Sequence, residues 1–375
     1  MKLKLLALST MVACSAPALA EVELYKDDKT TINFAGDLTA NMVSGDDSNG
    51  DSYTEIKDGF NRIYFSLNSE MKDGWAAVAK LEWKVRLTEN DSDLVLRPGE
   101  DNVALGSDDA DQSLSNRLGF VGVAHDKWGS FTIGKQWGSS YMATGATDSF
   151  MIYGGEGLGI FDLGDGGFTG VGRAEKSLQY NNQFGNLKIS AQVQASNKDI
   201  EIDIPGVVGA EVELDGSAGF GASYAIGEKI SVALGYNTAT FDTNWAGEED
   251  SIMTAANVTY GSRGGKGLYA AVVLVDGENH HLDNTGSFLD ESTGVELMAA
   301  YRFDNDFEVI GGAINVTTDD AGNDYEKSYL IAGVAYYWSE NFRVFSEVKV
   351  DDSTDANGQD APDGDVVGFG ARFSF

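Results

Sequence analysis

Period-two alternation of apolar and polar side chains runs through nearly all of this chain and limits its possible folds more than any other feature. From Trp75 to Leu87, Trp75, Ala77, Ala79, Leu81, Trp83, Val85 and Leu87 oppose Lys80, Glu82, Lys84 and Arg86 without a break. The segments 32–42 and 62–68 alternate likewise. The terminal DVVGFGARFSF sets Val367, Phe369, Ala371, Phe373 and Phe375 against Gly368, Gly370, Arg372 and Ser374. Successive side chains of a strand point to opposite faces, so each segment reads as a strand with one apolar and one polar side. A strand of a soluble sandwich would look the same taken singly. Number and length separate the two.

About sixteen such segments occur, near 31–43, 59–70, 74–88, 114–126, 129–137, 174–184, 186–197, 215–227, 229–241, 251–262, 266–277, 291–304, 306–318, 325–338, 341–352 and 364–375. A tilted strand crossing a bilayer needs about 9 to 11 residues, against about five or six in soluble sheets. The connections alternate too. Tight turns rich in Gly, Asn or Asp fall at 73–74, 127–129, 185–186, 227–228, 305 and 339–341, and long acidic loops such as 45–52, 99–112 and 351–365 join the other ends. Pro98, Pro205 and Pro362 all lie in expected loops, where no ladder needs their missing N–H. The pattern predicts one all-β domain: a transmembrane antiparallel β-barrel of about sixteen strands, lipid outside and water inside.

Residues 1–20 read as a secretory signal, with Lys2 and Lys4 ahead of an apolar stretch and an Ala18-Leu19-Ala20 cleavage pattern. The barrel domain is then 21–375. Cys14, the only cysteine, lies inside the leader, so the mature chain has no disulfide and no thiolate metal site. No later run approaches the roughly 20 apolar residues of a membrane helix, which excludes a helical membrane protein. The net charge is −33, and −35 once the two leader lysines are gone. Such a surface disfavours nucleic acid, whose phosphates need clustered cations. The carboxylates of 46–51 and 351–360 could bridge through divalent cations to lipopolysaccharide phosphates. None fits the twelve-residue calcium loop, so no cofactor or dedicated metal site is expected.

One interval breaks the rhythm. Between Gly138 and Arg173 lie about thirty-five residues without proline, carrying Tyr141, Met142, Phe150, Met151, Ile152, Tyr153, Leu158, Ile160, Phe161 and Phe168. A loop this long and this aromatic is functional rather than disordered, and it can bury its apolar groups by folding into the barrel.

With that loop in place, the chain resembles the general porins of Gram-negative outer membranes, the trimeric channels of enterobacterial matrix-porin type. The resemblance rests on the leader, RLGFVG (117–122), GSFTIGKQWG (129–138), the long loop closing on VGR (171–173) ahead of SLQYNN (177–182), and the terminal GARFSF. It implies a homotrimer passing ions and small hydrophilic solutes by passive diffusion, in contact with outer-membrane lipid and lipopolysaccharide. It also implies that the third extracellular loop narrows the lumen, with loop acids facing a ladder of wall arginines. Arg62, Arg117 and Arg173 match the ladder, and parity independently turns Arg62 and Arg117 to the lumen. Asp148 and Glu156 are the candidate loop acids, Asp37 stands where relatives carry lysine, and Lys80, Glu82, Lys84 and Arg86 are candidate pore-lining residues. The charge at the mouth together with Asp37 predicts a mild preference for cations.

Two other classes of barrel share this pattern. A sugar-selective channel would have eighteen strands and a file of lumen aromatics; an adhesin or receptor would use the acidic loop crown. Catalysis is disfavoured: His125 ends a strand beside a turn, His280 and His281 sit in a loop, and neither GxSxG nor HExxH occurs.

Overall fold

The computed structural model describes residues 21–46, 51–88, 95–96, 105–106, 113–195, 198–204, 207–243, 247–284, 286–360 and 364–375. The strands of the first third are β1 (Val22–Lys26), β2 (Thr30–Asp46), β3 (Ser52–Asp58), β4 (Arg62–Glu70), β5 (Trp75–Val85), β6 (Val95–Leu96), β7 (Leu105–Gly106), β8 (Leu114–His125) and β9 (Gly129–Trp137). Beyond the long loop come β10 (Arg173–Phe184), β11 (Leu187–Gln194), β12 (Lys198–Ile204), β13 (Val207–Ile226), β14 (Ile230–Thr243) and β15 (Gly247–Tyr260). The chain ends with β16 (Gly267–Glu278), β17 (Glu291–Arg302), β18 (Phe307–Thr318), β19 (Glu326–Tyr337), β20 (Phe342–Asp351) and β21 (Val366–Ser374). All but β6 and β7, which pair only with each other, belong to one antiparallel sheet of nineteen strands.

That sheet closes on itself with sixteen wall positions, because three positions are shared by two strands each. β3 and β4 follow one another along one edge of β2, with Ala40 opposite Asp58 and Asp37 opposite Arg62. β11 and β12 follow one another along β13. β21 and β1 share the other edge of β2: Asp37 pairs with Ser374, and Phe34 with Val22. Reciprocal backbone bonds between Gly36 and Phe375, at 2.8 and 3.0 Å, hold the seam. A closed sheet leaves no unpaired edge to the hydrocarbon, which is the condition for crossing a bilayer with strands.

Parity sorts the side chains as expected. Leu81, Val121, Ile133, Leu178, Leu234, Leu274 and Leu330 face outward and are exposed, as a lipid-facing surface requires. Trp128, Phe184, Tyr260, Phe303, Trp338 and Phe342 form an exposed aromatic belt beside the short turns. Two of those turns place glycine in the left-handed region, Gly185 at φ 62° and Gly227 at φ 67°, a conformation that a Cβ disfavours.

All sixteen expected segments are strands, but three expectations need correction. β1 was not among the expected strands: it is only five residues long and forms a local hairpin with the start of β2, too short to show a clear alternation. The segment 198–214, read as loop, is a hairpin continuing β11 and β13. The segment near 59–70 is interrupted at 59–61, where the Asn61 amide oxygen, not a strand partner, takes the Thr39 N–H. The expected leader, 1–20, lies outside the described residues, as does most of the 88–113 loop.

Candidate pore constriction

The loop between β9 and β10 folds into the barrel and lies along its wall. It contains short helical turns at Tyr141–Thr144, Glu156–Leu158 and Asp162–Asp165. Isolated turns of this length cannot satisfy their own backbone groups, so inward-facing side chains of the wall do it for them. Gln192 and Asn237 donate to the carbonyls of Gly170 and Thr169 at 2.7 and 2.9 Å. Asn257 and Tyr269 donate to those of Ala143 and Ala146 at 2.5 and 2.6 Å. Two wall carboxylates take backbone N–H groups: Glu296 that of Gly157 at 2.9 Å, and Glu347 those of Met151, Ile152 and Tyr153 at 2.8, 2.7 and 3.2 Å. Glycine sits where the backbones touch. A Cβ at Gly221 would collide with the Ser139 carbonyl oxygen, and one at Gly294 with that of Gly157.

About half of the loop's apolar side chains are fully buried, while Phe150, Ile152, Tyr153 and Phe161 are partly buried. Tyr141, Met151, Leu158, Ile160 and Val171 pack on Met253, Tyr269, Val273, Val275 and Met298 of the inner wall. One side of the lumen is therefore filled by the loop. The opposite side, from β2 to β10, carries the charge.

On that side a single carboxylate organises three cations. Glu82 is fully buried and contacts Lys80 at 2.9 Å, Arg117 at 2.9 Å and Arg62 at 3.7 Å. Arg62 also meets Asp37 at 3.0 Å. The Phe60 ring lies against three guanidiniums, those of Arg62, Arg117 and Arg372, at 4.8, 5.0 and 5.4 Å from its centroid. The third ladder arginine, Arg173, is ion-paired with Asp165 of the inward loop and stacks on Trp137 at 5.2 Å. A cavity of about 600 Å³ separates this wall from the loop segment 148–154, and Asp37, Arg62, Arg173 and Asp148 all line it.

The sequence-predicted residues divide accordingly. Asp37, Arg62, Arg117, Lys80 and Glu82 form one network. Asp148 lines the same cavity but is hydrogen-bonded to Tyr141 of its own loop, and burial pushes its carboxyl above the ordinary aspartate range. Glu156 does not join the arginines: its carboxylate lies 3.5 Å from Lys327 of β19. Lys84 faces inward opposite Arg62 without an ion pair among the described residues, while Arg86 follows the end of β5.

Sequence reasoning missed the anchors. Glu296 and Glu347 lie at lumen-facing positions of β17 and β20, and nothing in their local sequence sets them apart from other polar lumen residues. His280 and His281, set aside as loop histidines, are buried, and each reaches into the inward loop: His280 Nε2 to the Leu158 carbonyl at 2.9 Å, His281 Nε2 to that of Gly157 at 3.2 Å. Burial pushes His280 down to about 4 and His281 well below the usual range, so both serve as neutral rings that donate from Nε2. Of the acidic clusters 46–51 and 351–360, residues 47–50 lie outside the described residues. Asp351 pairs with Lys349 at 2.8 Å and Asp355 accepts two backbone N–H groups of its own turn.

Comparison with known proteins agrees with this geometry. Residues 7–356 match the family model described as Gram-negative porin. Outer membrane protein U of Vibrio parahaemolyticus is 25% identical over the full length of both chains, and outer membrane porin N of Escherichia coli is also 25% identical over the full length of both. Among solved structures, Salmonella typhi OmpF in complex with daunomycin superposes with a TM-score of 0.72 over 94% of this chain and all of that one, at 19% identity. A closed sixteen-position barrel, a loop folded along its inner wall and the family match lead to one conclusion: the chain belongs to the Gram-negative porins, outer-membrane β-barrels that form channels for passive diffusion.

Proposed function

We propose that this chain is exported through a cleaved leader and works as a homotrimeric general porin of mild cation preference, embedded among outer-membrane lipid and lipopolysaccharide. The observation that carries the selectivity reading is the pairing of the ladder. Arg62, Arg117 and Lys80 share Glu82, Arg62 also has Asp37, and Arg173 has Asp165, so the fixed cations at the narrowest part are largely compensated by acids beside them. A compensated wall produces a weak local field. The net charge of −35 expected for the mature chain then sets the potential at the mouth, over a range of about 8 to 10 Å at ordinary ionic strength. The reading as a general channel rather than a sugar-specific one is supported by the sixteen wall positions.

Asp148 and Glu156 contribute differently in this reading. Asp148, beside the cavity, narrows it sterically; Glu156 steadies the loop through Lys327. Reversal potentials in planar bilayers under a KCl gradient test the proposal. A cation preference that shrinks as salt rises is expected, and anion selectivity at low salt would overturn it.

A further inference from the structure

Two arginines of the last strands, Arg343 and Arg372, differ from the ladder in having no ion-pair partner among the described residues. Arg343 is the second residue of β20 and Arg372 the seventh of β21, and the two are directly opposite each other in register. Arg302, the last residue of β17, lines the same cavity. All three lie at the short-turn end of the channel, the end that faces the periplasm in barrels of this kind. Like charges directly opposite on neighbouring strands repel, and a fold that keeps them needs something to balance them.

For the opposed pair, Arg343 and Arg372, protein carboxylates do not supply that balance. Arg263 has a bidentate partner in Glu308, at 2.9 Å for each bond, and Arg302 has Asp306 at 3.0 Å. Arg343 and Arg372 form no ion pair among the described residues. Asp37, the nearest acid by register, gives Oδ2 to Arg62 and accepts from Ser374 at Oδ1. Glu340 lines the cavity in the adjoining turn, yet makes no ion pair with either arginine.

Aromatic rings and single neutral acceptors hold the two instead. Arg343 donates from Nη1 to Tyr337 Oη at 3.0 Å, and its guanidinium lies 5.5 Å from the ring on whose face Arg302 stacks at 3.6 Å. Arg372 donates from Nε to Thr39 Oγ1 at 2.9 Å and lies 5.4 Å from the Phe60 centroid. A ring or a hydroxyl orients a guanidinium without neutralising it. Each guanidinium has five N–H donors and each spends one on a protein acceptor among the described residues; with Arg343 Nε buried, the donors left for an oxyanion are those of the Nη atoms.

We propose that Arg343 and Arg372, flanked by Arg302, form an oxyanion subsite at the short-turn end of the channel that transiently holds a small dianion of the phosphate type. The subsite rests on the reading of the chain as an open channel. It concentrates such solutes at the exit from the constriction, while the compensated ladder leaves bulk selectivity to the mouth.

Inorganic phosphate at pH 8, added to single channels of the full-length mature protein in about 0.1 M KCl, is the probe. Phosphate on the short-turn side should cause brief, concentration-dependent interruptions of the current, with acetate much weaker at the same concentration. The half-blocking concentration should rise about tenfold or more in R343Q/R372Q and only a few-fold in R343K/R372K, which keeps the charges but loses the forks. The voltage dependence of the wild-type block should place the site in the half of the field nearer the short turns, a measurement independent of any variant's folding. A channel that conducts without phosphate block overturns the subsite but not the channel, whereas no conductance overturns the channel reading itself. Block that is unchanged in R343Q/R372Q, or that maps to the half nearer the long loops, places any anion contact elsewhere and overturns the assignment.

Discussion

At the residue scale, the central group is Glu82. It has no exposed surface and is the shared anion of Lys80, Arg62 and Arg117, so neutralising it leaves three cations facing one another across β4, β5 and β8. Removing one partner of a buried ionic network costs about 3 kcal/mol or more, because the remaining charges lose their compensation but stay desolvated. E82Q should therefore lower the thermal unfolding midpoint of the detergent-solubilised protein. In the same variant the reversal potential should move toward anion preference, since the ladder is no longer screened at source. An unchanged midpoint together with unchanged selectivity would show that the network is hydrated in practice. Parity alone turned Glu82, Lys80 and Arg62 to the lumen. Which of them touch depends on cross-strand register, with Arg62 opposite Lys84 and Glu82 opposite Leu118, and no local pattern encodes that register.

Strands and loops carry the next level. The inward loop has few hydrogen bonds of its own and depends on wall anchors, of which Glu347 is the most economical: one carboxylate accepts from three consecutive N–H groups. E347A should free the 148–154 segment from the wall, increasing single-channel conductance and the rate of entry of larger sugars in liposome swelling, with the barrel itself intact. A second anchor responds to acid. His280 is neutral in the fold with its pKa lowered to about 4, so the contact is at full strength above the usual histidine value near 6.5 and weakens as pH falls through the interval between them. The linked penalty is on the order of 3 kcal/mol by pH 4, and protonation of His281 beside Lys327 would add to it. Limited proteolysis or fluctuation of the open current should report loosening of the 156–158 turn between pH 6.5 and 4 in wild type; H280Q should lack part of that dependence, the remainder belonging to His281. The sequence held a signal for this packing in β16: Tyr269, Ala271, Val273 and Val275 are apolar on the lumen side while Leu268 and Leu274 face outward, and a strand apolar on both faces is covered on both.

On the scale of the whole molecule, an apolar outer band with an aromatic belt at the short-turn end sets the barrel in a bilayer, and the acidic loops keep its other mouth in water. The proposed trimer leads to a simple expectation: in mild detergent the protein should migrate as a heat-sensitive oligomer that boiling converts to a monomer, and a stable monomer of full conductance would count against it.

The barrel was legible in the sequence for a physical reason. Lipid on one side and water on the other impose a period of two on every strand, and that period survives in the one-dimensional string from Trp75–Leu87 to the terminal Phe375. Strand number, strand length and the alternation of tight turns with acidic loops followed from it, as did the long interval that had to bury its aromatics. Tertiary structure alone decided the closure of β2 by β21, the sharing of Glu82 among three cations, the turn of Glu156 toward Lys327 instead of the arginines, and the opposition of Arg343 to Arg372. Each depends on residues that are distant in the chain and adjacent only once the barrel has closed and fixed their register, so parity can say which way a side chain points but not what it meets.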